Sequence, residues 1–223
     1  RATVLIPHGA VVNRSSTYAH YVLFHELGCN VFAYDYQGFG ESLQLAMLDT
    51  ILPDADAALA YLQTRGHEET GPILLYGASM GTLPTFAQAA RDPEGVAGII
   101  VEGCFVPQVL PPYVYYVLGL TPSPEAFLHI PDSLNPDLNV PQVALPKLFL
   151  QSREDTVTLF DGAEDLFTAA VEPKTFQEVS GGHIEAVHMD ENYRDYIATF
   201  LAQIIGSPDS FSVADDPSTS PSP

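Results

Sequence analysis

"LLYGASMGTLP", residues 74–84, decides how the chain is read. Leu74, Leu75 and Tyr76 run into Gly77, and Ser79 stands between Gly77 and Gly81. The apolar run "PILLYG" (72–77) predicts a buried strand, and the small residues of 80–90 predict a helix packed close to its neighbours. A sharp turn between the two would lift the Ser79 hydroxyl above the sheet. It would also aim the Met80 amide at any oxyanion formed beside that hydroxyl. The plainer reading is a glycine-rich loop that happens to hold a serine. Because a neutral serine is a poor nucleophile without a base, the two readings part on whether the chain supplies partners for Ser79.

Strand and helix alternate on both sides of this stretch. "ATVLIP" (2–7), "NVFAYDY" (30–36), "GVAGIIVEG" (95–103), "KLFLQ" (147–151) and "KTFQEV" (174–179) read as further strands. Helices are expected over 16–28, with Tyr18, Val22 and Leu27 as its apolar spacing, and over about 49–65. In the latter, Asp54, Ala57, Ala58, Tyr61 and Leu62 keep a 3.6-residue period, and Pro53 suits the first turn. Two more are expected over 159–170 and 190–205, the last presenting Tyr193, Tyr196, Ile197, Phe200, Leu201 and Ile204 on one face. This alternation implies an α/β fold with a mostly parallel sheet flanked by helices. Residues 1–206 read as one domain. Within it, 104–146 is an insertion of the kind that caps a site, and 207–223 is an acidic Pro/Ser-rich tail expected to stay disordered.

Composition narrows the function classes. Twenty-eight acidic residues against eight basic ones give a formal net charge of -20. Such a surface repels phosphate backbones and excludes nucleic acid as a partner. No apolar run approaches the roughly 18 residues of a membrane span, and nothing at the N-terminus resembles a signal peptide. A soluble, cytoplasmic setting is the expectation. The chain nevertheless starts abruptly at Arg1, as a trimmed fragment would. Cys29 and Cys104 are too few for a disulfide framework and read as small core residues or unpaired thiols.

Seven histidines are available as a base for Ser79. His8 precedes Gly9 and reads as loop. His20 and His25 fall on the first helix, and His67 and His129 in connections. "SGGHIEAVH" remains: His183 follows the last strand in a glycine-flanked loop, where an imidazole can lean over the carboxyl edge of the sheet. His188, five residues on, is the alternative base. His183, Glu185 and His188 could also be read as metal ligands, but their spacing does not set both histidines on one helical face, and no metal is expected. A base needs an orienting carboxylate, and "LFLQSREDTVT" places Asp155 just past a strand end, with Glu154 as the alternative. The candidates then run Ser79, Asp155, His183, each after a different strand.

Together "PHGA", "AYDYQGFGES", "GASMG", "SREDTVT" and "GGHIEA" resemble the α/β-hydrolases. The likeness is to the group of serine hydrolases that spans small esterases, acyl hydrolases and prolyl-type or dipeptidyl-type peptidases, and it covers residues 2 to 205. The resemblance implies that Ala10 donates a second oxyanion amide beside that of Met80. Members of this group usually open with two further antiparallel strands, which this chain lacks, so "NVFAYDY" would be an uncovered edge. The same layout sets Cys29 and Cys104 at opposite edges of the sheet and speaks against a disulfide.

These readings converge on a serine hydrolase of carboxylic esters or related acyl compounds that needs no cofactor. With so few bases, a small, neutral, modestly apolar ester or acyl substrate is expected. Tyr113, Tyr115, Tyr116 and Phe127, with Leu118, are the candidate walls of its acyl pocket, or else pack the insertion onto the sheet. Two other readings stay open. A peptidase would need an acidic residue for a free amino terminus, with Glu102 and Asp132 as candidates. A non-catalytic hydrolase-fold protein would bind a small molecule or a partner without chemistry. A dehalogenase would want a carboxylate where Ser79 stands.

The charge yields a first prediction. Mutual repulsion of the carboxylates opposes the compact state, and salt shortens its range from about 10 Å at about 0.1 M to about 3 Å at about 1 M. Tm should therefore rise from dilute buffer to molar sodium chloride, with potassium chloride acting alike. A flat or falling Tm across the salt series would mean that the acidity serves solubility alone.

Overall fold

A computed structural model describes residues 1–206 other than 11, 92, 112 and 115–129. In chain order the main elements are β1 (Thr3–Pro7), α1 (Tyr18–Glu26), β2 (Asn30–Tyr34), α2 (Leu48–Arg65), α3 (His67–Thr70), β3 (Ile73–Ala78) and α4 (Thr82–Ala89). There follow β4 (Val96–Glu102), α5 (Pro136–Asn139), β5 (Lys147–Ser152), α6 (Phe160–Ala169), β6 (Lys174–Val179), α7 (Ala186–Met189) and α8 (Tyr193–Ile205). The six strands form one sheet in the order β2-β1-β3-β4-β5-β6, parallel at every pairing. The expected strand–helix alternation and parallel sheet are therefore observed, with β2 at an edge of the described sheet.

A two-residue period sorts the strand side chains to the two faces. Leu5, Ile73, Leu75, Ile99, Val101 and Phe149 face one way, against α2, α4 and α6 through Leu59, Leu62, Phe86 and Leu166. Val4, Ile6, Leu74, Tyr76, Ile100, Leu148 and Leu150 face the other, against α1 and α8 through Phe24, Tyr193, Ile197, Phe200 and Leu201. A third apolar cluster joins Met80, Leu83 and Ala87 to Tyr36, Phe105, Leu110, Val114, Ile130 and Leu134. The described ends of the expected insertion thus pack beside the Ser79 turn. Its interior, with Tyr115, Tyr116, Leu118, Phe127 and His129, lies outside the described residues, as does the tail 207–223.

Two helix faces differ from expectation. In α1 the buried side chains are His20, Leu23 and Phe24, while Tyr18 and Val22 are exposed. A stripe counted from apolar residues alone missed this face because a histidine with a buried partner occupies it. In α2 the buried set is Ile51, Ala55, Ala58, Leu59 and Leu62, and Tyr61 is half exposed. The helix begins at Leu48, so Pro53 stands past its first turn and removes one interior backbone hydrogen bond. The final helix starts at Tyr193, and His188 belongs instead to the separate short α7.

Lys174 caps the last turn of α6, and Lys147 holds the connection that follows it. Lys147 Nζ donates to the carbonyls of Val171 and Pro173 at 2.7 and 3.1 Å, and Lys174 Nζ to that of Phe167 at 2.8 Å. A cation at a helix C-terminus meets its negative dipole end, which gives Lys174 a structural use. Cys29 and Cys104 are free and buried. Burial pushes both thiols up, Cys29 to about 11, so neither is a ready nucleophile.

Candidate active site

Ser79 occupies the turn between β3 and α4, in a short 3-10 helix over Ser79–Gly81. Its φ is 53°, a left-handed conformation that non-glycine residues rarely adopt, and one that persists only where the surroundings impose it. The two glycines of the motif impose it here. A Cβ on Gly81 would lie 2.8 Å from the Pro7 carbonyl oxygen, and one on Gly77 would lie 2.4 Å from Thr85 Oγ1 and 2.6 Å from the Gly81 carbonyl oxygen. Only hydrogen atoms at these positions let α4 start this close to β1 and β3. A Cβ on Gly9 would sit 3.6 Å from Ser79 Cβ, so the turn after β1 lies directly beside the serine. Ala10 in that turn packs against the third apolar cluster, to which Met80 belongs.

His183 and Asp155 converge on this serine. His183 Nε2 lies 3.0 Å from Ser79 Oγ, and its Nδ1 lies 2.8 Å from Asp155 Oδ2. A carboxylate can only accept, so the ring proton resides on Nδ1 and Nε2 is free to accept from the serine hydroxyl. Asp155 is buried and held on every side. Its Oδ1 accepts from the amides of Val157 and Thr158 at 2.8 and 2.9 Å, and its Oδ2 accepts from Thr158 Oγ1 at 2.6 Å. Burial pushes the Asp155 pKa up, but the hydrogen bond and charge of His183, with the bonds from Thr158, outweigh it and hold the carboxyl below its ordinary value. Glu154, the alternative carboxylate, is exposed. His188 is also exposed, although it borders the same cavity as Ser79.

Several supporting residues escaped the sequence reading. Thr158 fixes Asp155 from a loop position that carried no motif. Gln151 holds that loop in turn, donating to the Thr158 carbonyl at 2.8 Å and accepting from the Cys104 amide at 3.0 Å. Gly103 has a φ of +59°, and a Cβ there would meet Ile184 Cδ1 at 2.7 Å and Thr158 Oγ1 at 3.0 Å. His8, read as loop, is buried. Its Nδ1 lies 2.7 Å from the Gly9 carbonyl oxygen, and its Nε2 accepts from the Tyr36 amide at 3.3 Å. Both bonds suit the neutral ring, and burial pushes its pKa down. His8 thereby ties the turn after β1 to the loop after β2. The "HG" pair was the available signal, but it pointed to the glycine.

Glu102 and Asp132, weighed as holders of a substrate amine, lie apart in kind. Asp132 is exposed on a 3-10 turn. Glu102 is buried at the end of β4, and its Oε2 accepts from Tyr76 Oη at 2.7 Å, from Tyr193 Oη, and from His20 Nε2 at 3.2 Å. Burial raises its pKa, but the bond and charge of His20 and the two tyrosine bonds outweigh this and keep it a carboxylate. Tyr113 is half exposed and donates its hydroxyl to the Thr156 carbonyl. A cavity of about 280 Å³ opens beside Ser79 and His183, walled by Val12, Ile184 and Val187. Among the described residues no cluster of His, Cys, Asp or Glu could hold a metal ion, and no helix is long and apolar enough to cross a membrane.

A parallel sheet with a serine on the strand–helix turn of β3 and a histidine loop after β6 defines the α/β-hydrolase fold. The family model described as "Serine aminopeptidase, S33" matches residues 1–141, and the chain belongs to that family of hydrolases. It is 27% identical over 216 residues to "Uncharacterized protein YfhR" of Salmonella typhimurium, an alignment covering 90% of this chain and 71% of that one. It is 28% identical over 208 residues to "Alpha/beta hydrolase domain-containing protein 17B" of Xenopus laevis, covering 90% and 66%. An esterase of Pyrococcus furiosus superposes with a TM-score of 0.74 at 17% identity, covering 92% of this chain and 82% of that one.

The Asp155 contacts give a prediction with a definite sign. A carboxyl whose pKa is depressed by folding stabilises the protein above its unfolded value, about 3.9, and this contribution is lost as pH falls through the folded value. Thr158→Val removes the 2.6 Å bond to Asp155 and should lower stability by about 1.5–3 kcal/mol at neutral pH. Urea melts across an acid series should show that difference shrinking below about pH 4. A difference independent of pH would mean that the threonine hydroxyl acts on something other than the carboxylate.

Proposed function

We propose that the chain is a serine hydrolase that cleaves carboxylic esters or related acyl compounds through an acyl-enzyme. The observation that carries this reading is the unbroken run of contacts from Ser79 Oγ to His183 at 3.0 Å and from His183 to Asp155 at 2.8 Å. His183 Nε2 takes the serine proton as Oγ attacks the carbonyl carbon, and Asp155 steadies the imidazolium that forms. The amides of Ala10 and Met80 are assigned to the developing oxyanion, with Gly9 making the turn that brings Ala10 close. His183 then protonates the leaving alcohol. Water, deprotonated by the same imidazole, releases the acyl group and restores Ser79.

An ester is favoured over a peptide because, among the described residues, neither Glu102 nor Asp132 lines the cavity beside Ser79. Glu102 Oε2 instead accepts three hydrogen bonds within the fold, from His20, Tyr76 and Tyr193. The family description names an aminopeptidase, and the superposed Pyrococcus furiosus protein is an esterase, so the peptide reading is kept as an outcome of the test. Residues 104–146 are assigned as the cap that sets acyl preference. Their described ends pack on Met80 and Leu83, the oxyanion side of the proposed centre.

The test is turnover of p-nitrophenyl butyrate, with an aminoacyl p-nitroanilide run in parallel. Ser79→Ala and His183→Ala should each lower kcat by about 10⁴-fold or more, while His188→Ala loses far less. Preferred cleavage of the anilide would convert the assignment to a peptidase. Full activity in a folded Ser79→Ala protein would remove the serine mechanism altogether.

A further inference from the structure

Acylation fixes where the alcohol half of an ester must lie. Ser79 Oγ bonds to the carbonyl carbon, the bond from that carbon to the alkoxy oxygen breaks, and the hydroxyl proton carried by His183 Nε2 passes to the departing oxygen. The transfer needs that oxygen within hydrogen-bond reach of Nε2, which is 3.0 Å from Ser79 Oγ. The carbons of the alcohol therefore begin beside His183.

The space around Ser79 is divided between two sets of residues. Met80, Phe105 and Leu110 belong to the third apolar cluster, and Ala10 packs against it. None of these four lines the cavity beside Ser79. That cavity runs along the His183 loop, which supplies His183, Ile184, Val187 and His188 to its wall, and Val12 joins them from the loop after β1. A Cβ on Gly9 would lie 3.8 Å from Val12 Cγ2 and 3.6 Å from Ser79 Cβ, so the Val12 side chain stands close to the nucleophile. It is 38% exposed, and its size can be altered at little cost to the core.

We infer that this cavity is the subsite for the alcohol half of the substrate, and that it selects a short, uncharged, apolar alcohol with Val12 as a specificity-determining wall. The inference rests on the serine-hydrolase reading of Ser79 and adds which half of the ester the cavity reads. Its volume of about 280 Å³ falls just below the ~300–1,000 Å³ of sites that enclose drug-sized ligands. Among the described residues no Asp, Glu, Lys or Arg lines it, although the chain carries a formal net charge of -20. The surface as a whole draws cations in, whereas a cation inside the cavity loses its water and meets no carboxylate there. Surface and cavity thus call for opposite preferences, and the buried group is the one that feels the cavity.

Two esters of one shape test the charge: 3,3-dimethylbutyl butyrate and butyrylcholine exchange a carbon for a cationic nitrogen. Dividing each kcat/KM by that ester's rate in hydroxide removes the difference in leaving-group reactivity. The parent should then favour the neutral ester by roughly 10-fold or more. Val12→Phe narrows the cavity and should lower kcat/KM for 3,3-dimethylbutyl butyrate relative to methyl butyrate by roughly 10-fold or more, the scale of a methylene or two in a fitted pocket. Val12→Ala should not lower it. In both variants the ratio of methyl octanoate to methyl butyrate should hold, since these share an alcohol and differ in the acyl chain, and Tm should change little.

Transfer to an added alcohol reads the same subsite in reverse. With p-nitrophenyl butyrate as donor, the butyryl-enzyme should pass its acyl group to 3,3-dimethyl-1-butanol less readily, relative to methanol, in Val12→Phe than in the parent. A parent that prefers butyrylcholine, an acyl ratio that moves in place of the alcohol ratio, or a transfer ratio untouched by Val12→Phe would each overturn the subsite and leave the hydrolase reading standing. No turnover of any ester by folded parent protein would overturn both.

Discussion

The Pro7 carbonyl oxygen at the end of β1 would stand 2.8 Å from any Cβ at position 81. That approach lets α4 begin directly over the sheet, and it confines the chain between β3 and α4 to a turn of three residues, Ser79–Gly81. Ser79 then has to take a positive φ of 53°, a conformation unfavourable for a side-chain-bearing residue. Parallel pairing of β3 with β1 and β4 and the buried helix behind it supply the constraint that holds this turn. The same constraint leaves the serine at the carboxyl edge of the sheet, where the loops after β1, β5 and β6 meet it.

Around that point the polar groups form two layers. The upper one runs from Ser79 through His183 to Asp155 and on to Thr158. The lower one runs from His20 to Glu102, with Tyr76 and Tyr193 on the same carboxylate oxygen. It ties α1, β3, β4 and α8 together beneath the cavity. Each layer has a buried carboxylate orienting a histidine, and each carboxylate is kept ionised by the hydrogen bonds it accepts. Removing one partner would leave a buried charge short of bonds, which is far more damaging than losing a surface pair. Position and electrostatics are therefore coupled: the same hydrogen bonds that join these elements keep the buried carboxylates ionised.

Much of this was legible in the sequence because it rests on short-range signals. The strand runs are continuous and apolar, so their places followed from "TVLIP", "ILLYG" and "KLFLQ", and their alternation with helices implied a parallel sheet. Glycines at 77 and 81 declared a close approach, and the loops holding Asp155 and His183 fell at strand ends. What was not legible depends on partners distant in the chain. His20 counts against an apolar face until Glu102, 82 residues away, is known to meet it. Thr158 is an ordinary loop residue until Asp155 turns toward it, and His8 is unremarkable until Tyr36 caps its ring. Glu102 was read as a free carboxylate because sequence shows its charge and not its three donors.

The central claim is that Ser79 is a nucleophile activated by His183, and covalent labelling reads this most directly. A fluorophosphonate probe should attach to one residue, Ser79, as mapped by mass spectrometry of the digested protein. Labelling should be lost in Ser79→Ala and strongly slowed in His183→Ala, with the fold retained by circular dichroism. Attachment to a different residue, or no attachment to folded parent protein, would contradict the account.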